Sequence, residues 1–387
     1  VRLAAIAFVG TERPGFGDAA PYVRAAREIW DHGRYPDRTD AYFFRAPGYP
    51  AFLAAATLGR PERTALAKGA SAVLGSVSAL LLALISARVF RRRGVAIGTG
   101  LSAAVFPSLV IVSIAVQSEP LFLALLLLAG LALLVAADRR SVQAACAAGG
   151  SLALAALTRP SAIVLAPLLA APLFDRRTSG AERRRLAAAA LISFLAALAP
   201  WTVRNAVRFG EFIPVSDAAG VSLYAGNSAW TRSFYAIHNR DEYARWLGAF
   251  ERDLHVRFDR LEASGSTSPG RRSAGFARMA IDESLADPAG TLRLFGIKAW
   301  QWIKPYPTSW FWPPAVVAGV GILYVVLDLL AARGWLRASR RGVAAACLAV
   351  LAMSMAAHVA LEVVWRYRVP YWDPILLLYG VAGAARR

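Results

Sequence analysis

Lysine is nearly missing from this 387-residue chain: Lys68, Lys298 and Lys304 are the only ones among 44 basic residues. Acid is short as well, with 25 carboxylates leaving a net charge of +19. Cysteine is limited to Cys146 and Cys347. Both sit in small-residue apolar stretches, which excludes a disulfide framework or a thiolate metal site. There is no P-loop, no G-x-G-x-x-G opening a helix, no H-E-x-x-H and no C-x-x-C. These absences remove a nucleotide-driven pump, a dinucleotide enzyme and a zinc protease. The positive charge carries no nucleic-acid motif with it, so no nucleic-acid partner is expected. No repeat recurs at a fixed period.

What the chain has is apolar length. It is 57% hydrophobic, with a mean hydropathy of +0.44. Several stretches approach the roughly 20 apolar residues that cross a hydrocarbon core. Candidate spans lie at 64–88, 95–116, 120–137, 142–158, 161–174, 186–203, 312–332, 343–363 and 371–385. The opening "VRLAAIAFVG" is too short to span. It reads as the end of a first membrane helix, with a signal-peptide remnant as the alternative. The expected fold is therefore an all-α polytopic membrane protein of about ten transmembrane helices.

The arginines give the orientation. "RVFRRRG" (88–94), "ADRRS" (137–141), "FDRRTSGAERRR" (174–185), "ARGWLRASRRG" (332–342) and the final "ARR" fall on one set of loops. Basic residues mark the cytoplasmic side, so these five loops are placed inside. The other side then carries two long extracytoplasmic loops, 11–63 and 204–308, with surface helices in both. In the first, "PYVRAAREIWDHG" gathers Tyr22, Ala25, Ala26, Ile29 and Trp30 on one face, as a helix lying on the membrane would. In the second, 239–263 reads as an exposed helix broken by "SGSTSPG". Helices at 272–286 and 288–303 follow, separated by Asp287-Pro288. The chain divides into 1–203, a membrane module that includes the loop 11–63, then the outer loop 204–308, and the C-terminal spans 309–387.

Glu119, in "VQSEP", stands between two apolar runs at an outer helix end. A charge within lipid costs about 2.5–3.5 kcal/mol on insertion scales, so such carboxylates are usually functional. The structural reading is a helix N-terminus favouring negative charge. Asp18, in "GFGDAAPYV", has a turn or helix entry as its structural reading. Together Asp18 and Glu119 put two carboxylates at one membrane surface, which suits general-base work or a divalent metal. Arg366 and Arg368 in "WRYRVPYW", Arg159 in "LTRPS" and Arg45 in "FFRAPGYP" share the outer side, where topology does not call for them. Snorkelling explains one or two of these. Four together suit an anionic ligand such as a lipid phosphate. His358 and Glu362 are four apart, which puts them on one helix face as a metal pair, a proton relay or a structural pair. Trp300, Trp302, Trp310 and Trp312 read as an interfacial belt.

In order along the chain, "GDAAPYVRAAREI…YFFRAPGYPAFLAA", "QSEPLFLALLLLA", "ALTRPSAIVLAPLL", "PWTVRNAVRFGEFIPVSDAAGVSLYAGNS" and "RYRVPYWDPILLL" resemble the GT-C glycosyltransferases. These are membrane enzymes using polyprenyl-phosphate sugars, among them protein O-mannosyltransferases and the lipid A aminoarabinose transferase. The resemblance implies that Asp18 serves the acceptor side and that Glu119 helps as base or metal ligand. It also implies that Arg45, Arg366 and Arg368 hold the lipid-linked phosphate, with Arg159 and His358 added as donor-side candidates. Relatives often pair two acids where Asp18 is followed by Ala19, and that departure weakens a metal assignment.

The expected activity is transfer of a sugar from a polyprenyl-phosphate donor to a hydroxyl of a glycan, lipid or protein acceptor. It would run with inversion, on the extracytoplasmic face of a bacterial cytoplasmic membrane. A divalent metal is left open as a cofactor. The rivals are a ligase or polymerase using diphosphate-linked glycans, and a non-enzymatic carrier of lipid-linked glycans. A carrier would show repeated halves and charges through the midplane.

Overall fold

Apolar runs of membrane length become helices along the whole chain. The computed structural model describes residues 1–11, 19–40, 42–174, 178–308 and 312–385, with no β-strand among them. The chain opens with α1 (Arg2–Val9), α2 (Ala19–His32) and α3 (Gly48–Ala56). The predicted face of α2 is buried at Tyr22, Ala25 and Ala26, while Trp30 stays half exposed. That face packs against Tyr49, Leu53 and Ala54 of α3.

The spans follow. α4 (Thr64–Phe90) is continuous, whereas α5 (Arg93–Val105) and α6 (Pro107–Ser113) form an apolar pair bent by 54° at Phe106. The bend has a chemical cause. Pro107 has no N–H to offer the carbonyl of Ala103, four residues back, and a carbonyl left bare in lipid is costly. Arg2 makes up the shortfall: its Nη2 donates to Ala103 O at 3.3 Å and its Nη1 to Ala104 O at 3.1 Å. Its Nε donates to Ser113 Oγ at 2.9 Å.

α7 (Glu119–Arg139), α8 (Val142–Thr158) and α9 (Gly180–Phe209) make the tightest bundle. At Gly149 of α8 a Cβ would overlap the Ala190 carbonyl of α9, so only glycine permits this approach. Between α8 and α9 runs Pro160–Phe174, which is a 3-10 helix rather than an α-helix. Pro167 and Pro172 within it cannot donate α-helical bonds. At about 2.0 Å of rise per residue, this segment still covers about 30 Å, the depth of a hydrocarbon core.

A helical layer then leaves the bundle: α10 (Ala218–Asn227), α11 (Ala229–Phe234), α12 (Arg240–Ala263), α13 (Pro269–Ala286) and α14 (Pro288–Ile303). Asn239 caps α12 by accepting from Glu242 N at 2.9 Å, while Glu242 reaches back to His238 N at 2.8 Å. Asp287 caps α14 through Gly290 N at 2.9 Å, with Pro288 at the first helical position. The stop and restart at Asp287-Pro288 thus falls where the sequence places it.

The chain returns through α15 (Pro314–Leu336), α16 (Arg341–Ala360), a 3-10 turn at Trp365–Arg368 and α17 (Val369–Ala384). α15 and α17 interlock through Gly334 and Gly383, where any side chain would overlap the opposing carbonyls of Tyr379 and Leu330.

This is an all-α, polytopic membrane fold. Among the described residues, α4, α7, α9, α15 and α16 are each long and apolar enough to cross, and the bent α5–α6 pair makes a sixth. α8 and the 3-10 segment are shorter apolar helices, and α17 has 16 residues, so the expected count of about ten is not reproduced by length alone.

One expectation is corrected. α16 ends at Ala360, so His358 and Glu362 do not share a helical face. The carbonyls at and just past the helix end are satisfied from outside. Asn227 Nδ2 donates to Ala360 O at 2.8 Å, and Lys298 Nζ donates to Leu361 O at 3.0 Å.

Candidate active site

The bundle has two unlike ends. At the arginine-rich end, Arg340 bonds Asp138 and Arg140 pairs with Glu182 at 3.7 Å, tying loops to one another. At the opposite end, three chain interruptions bring polar groups together. α7 begins at Glu119, with Pro120 in its first turn and Gln117 and Ser118 just before it. α8 stops at Arg159, whose extended backbone precedes Pro160. The third interruption is the 3-10 turn that carries Arg366 into α17.

Glu119 is only 2% exposed. Its Oε1 lies 3.0 Å from Arg159 Nη1 and 3.9 Å from Arg366 Nε. Arg366 Nη1 donates to Gln117 Oε1 at 3.1 Å, and Arg159 Nη1 donates to Ser118 Oγ at 3.2 Å. Tyr367 lies under both guanidiniums, 5.1 Å from Arg159 and 5.4 Å from Arg366. Tyr22 continues the cluster outward. Its hydroxyl donates to Ser118 Oγ at 3.4 Å, its ring meets Tyr49 edge-on at 4.9 Å, and Arg45 sits 5.2 Å over that ring. Arg45 also pairs with Asp40 at 2.9 Å.

Three of the arginines singled out in the sequence therefore converge, and so does Glu119. The side chains of Arg45, Arg159 and Arg366 are 21%, 19% and 24% exposed, against 3% for Glu119. The cations can be reached while their counter-charge is sealed beneath them. Among the described residues, Glu119 and Asp40 are the carboxylates that accompany these three guanidiniums.

The remaining candidates go elsewhere. Arg368 is 1% exposed and turned away from Glu119. His358 is 7% exposed; its Nδ1–H donates to Ser354 O at 2.7 Å and its ring stacks on Trp302 at 4.8 Å. Of the expected tryptophan belt, Trp302 is fully buried and Trp300 is half exposed. Asp18 lies outside the described residues, as does Trp310. Gln117, Ser118 and Tyr367 belong to the site without having been singled out in the sequence, and Tyr22 reads there only as part of an amphipathic face. Ser118 and Tyr367 directly adjoin charged candidates, and Gln117 lies two residues before Glu119.

A divalent metal fits poorly at this point. Glu119 is already committed to two guanidiniums, whose charge repels a cation. Among the described residues no three His, Cys, Asp or Glu side chains converge.

The fold is shared with solved oligosaccharyltransferase structures. Oligosaccharyltransferase AglB from the archaeon Archaeoglobus fulgidus, solved with an inhibitory peptide and a dolichol-phosphate, superposes with a TM-score of 0.59 at 14% identity, over 96% of this chain and 46% of that one. The same organism's oligosaccharyltransferase in complex with Zn and sulfate gives 0.56 at 15% identity, over 99% and 48%. ArnT from Cupriavidus metallidurans gives 0.45 at 17% identity, over 98% and 75%. The chain thus spans about half the length of the oligosaccharyltransferase. Residues 45–203 match the family model described as dolichyl-phosphate-mannose-protein mannosyltransferase. That segment contains Arg45, Glu119 and Arg159 and leaves out Arg366. No curated protein matches the sequence.

Proposed function

We propose that this chain is a membrane glycosyltransferase that takes a sugar from a polyprenyl-phosphate donor. It acts on the extracytoplasmic face of a bacterial cytoplasmic membrane. One observation carries the reading. Arg159 and Arg366, more than 200 positions apart in the sequence, are held side by side and reachable at the bundle end opposite the basic loops.

Arg159 and Arg366 grip the donor phosphate, with Arg45 at the outer rim. An acceptor hydroxyl oxygen attacks the anomeric carbon from the face opposite the phosphate. The bond from that carbon to the phosphate oxygen breaks and its electron pair stays on the phosphate. Polyprenyl phosphate leaves as a monoester, and the sugar inverts. The guanidiniums stabilise the charge growing on the leaving oxygen. Asp18 takes the acceptor proton. Glu119 is sealed from an acceptor, so its task is to hold the two guanidiniums in place. The helices between 204 and 308 cover the site and help select the acceptor. The match to a mannosyltransferase family and the dolichol-phosphate in the AglB complex support the donor class.

The test is glycan and lipid analysis of cells carrying wild type, Asp18→Asn or Arg366→Gln at equal membrane abundance. Loss of one glycan component with build-up of its lipid-linked donor is expected for both variants. A normal glycan profile in both, alongside loss in a deletion strain, would sink the transferase reading in favour of a carrier.

A further inference from the structure

Arg366 and Arg368 are two residues apart in one 3-10 turn, yet their surroundings differ completely. Arg368 Nη1 donates to the carbonyls of Trp302 at 3.0 Å and Lys304 at 2.8 Å. The first of these belongs to the last turn of α14, where carbonyls have no partner within the helix. The second precedes Pro305, which has no N–H to continue the chain's bonding. The Arg368 guanidinium sits among the rings of Tyr324, Trp365 and Trp372, at 4.8, 5.2 and 5.4 Å. Its exposure is 1%, so a lipid phosphate has no route to it.

The same helix end reaches the donor arginines by a second path. Trp302, fully buried, stacks on His358 at 4.8 Å, and His358 lies 5.7 Å from Tyr367. Tyr367 is the ring beneath both Arg159 and Arg366. One contact therefore fixes the turn that carries Arg366, and the other supports the aromatic floor of the site.

We propose that Arg368 is a positioning residue: it clamps the end of α14 to the 3-10 turn, so that seating of the outer helical layer sets Arg366 for the donor phosphate. This rests on the transferase reading for the identity of the phosphate, while the clamp itself does not.

The test uses the full chain in lipid nanodiscs, reading hydrogen exchange over 296–308 and binding of undecaprenyl phosphate. Arg368→Gln is expected to raise exchange over 296–308 by about tenfold or more and to weaken binding. Arg366→Gln is expected to weaken binding by about tenfold or more and leave that exchange unchanged. Arg368→Lys keeps a donor for the two carbonyls but loses the planar group packed among the rings, so protection should fall less than in Arg368→Gln, with binding falling only in step with it. This variant also decides the matter if Arg368→Gln does not fold. Retained protection with binding lost in Arg368→Lys would make Arg368 a direct phosphate ligand and overturn the proposal. So would Arg368→Gln with exchange unchanged, or with raised exchange and unaltered binding. If wild type itself binds no undecaprenyl phosphate, the donor reading fails, and the exchange measurements alone judge the clamp.

Discussion

Arginine is buried at two breaks in the helical bundle, and the two breaks are built to different ends. At the Phe106–Pro107 bend, Arg2 spends its donors on two backbone carbonyls and a serine hydroxyl. Everything it touches is neutral protein, and it is 7% exposed. At the Glu119 end, Arg159 and Arg366 face a sealed carboxylate and remain about one-fifth to one-quarter exposed. A buried arginine in a membrane protein is thus not evidence of a site in itself. The distinction lies in what its donors meet and whether one edge can be reached.

That contrast can be broken by substitution, starting where the effect is largest. Arg366→Gln or Arg159→Gln should lower transferase turnover by about 10²-fold or more, as expected for loss of a charge that stabilises a leaving group. Thermal unfolding in detergent should change little for Arg366→Gln, whereas Arg159→Gln also strips the sealed Glu119 of its nearest counter-charge and should lower stability; an Arg366→Gln activity drop matched by an equal loss of folded protein would erase the contrast. Arg2→Ala should do the reverse. Leaving three acceptors unpaired in lipid should cost about 3 kcal/mol of stability, with activity per folded molecule within about twofold. Equilibrium unfolding beside a specific-activity assay checks both halves.

A subtler test concerns Glu119. If it orients Arg159, a cycle of Glu119→Gln, Arg159→Met and the double variant should show a coupling of about 1–3 kcal/mol in catalysis. Additive effects would mean that the pair is a bystander. The smallest effect is expected away from the membrane. Asp217, 4% exposed, accepts from Phe44 N at 2.8 Å, and burial pushes its carboxyl up to about 7. The folded chain then holds a proton there that the unfolded chain has given up. Stability is greatest below about pH 4, where the carboxyl is neutral in both states, and falls between about pH 4 and 7 as the unfolded chain ionises first. Asp217→Asn should flatten that slope, as followed by the melting temperature between about pH 5 and 8.

Much of this was legible in the sequence, because membranes leave so few options. Apolar length gives the crossings, and loop arginines give the two ends. Glu119, Arg45, Arg159 and Arg366 stand out because charge at those places has no topological excuse. What escaped the sequence has a common origin in contacts between distant segments. Arg366 and Arg368 look alike until α14 arrives from more than 60 positions away to occupy one of them. His358 and Glu362 have helical spacing, but α16 ends between them, at Ala360, where Asn227 and Lys298 take up the carbonyls of Ala360 and Leu361. Arg2 reads as a stray charge near the chain start until Pro107 leaves its carbonyls bare.

The 3-10 geometry of Pro160–Phe174 bears on how far the length of this segment can vary. Each residue there advances the chain by about 2.0 Å and turns it by about 120°, against about 1.5 Å and 100° in an α-helix. One inserted residue would rotate the arriving chain by a third of a turn and lift it further than anywhere else in the bundle. Insertions and deletions should therefore be rarer in this stretch than in the neighbouring α8, making it the molecule's least forgiving ruler of bilayer thickness.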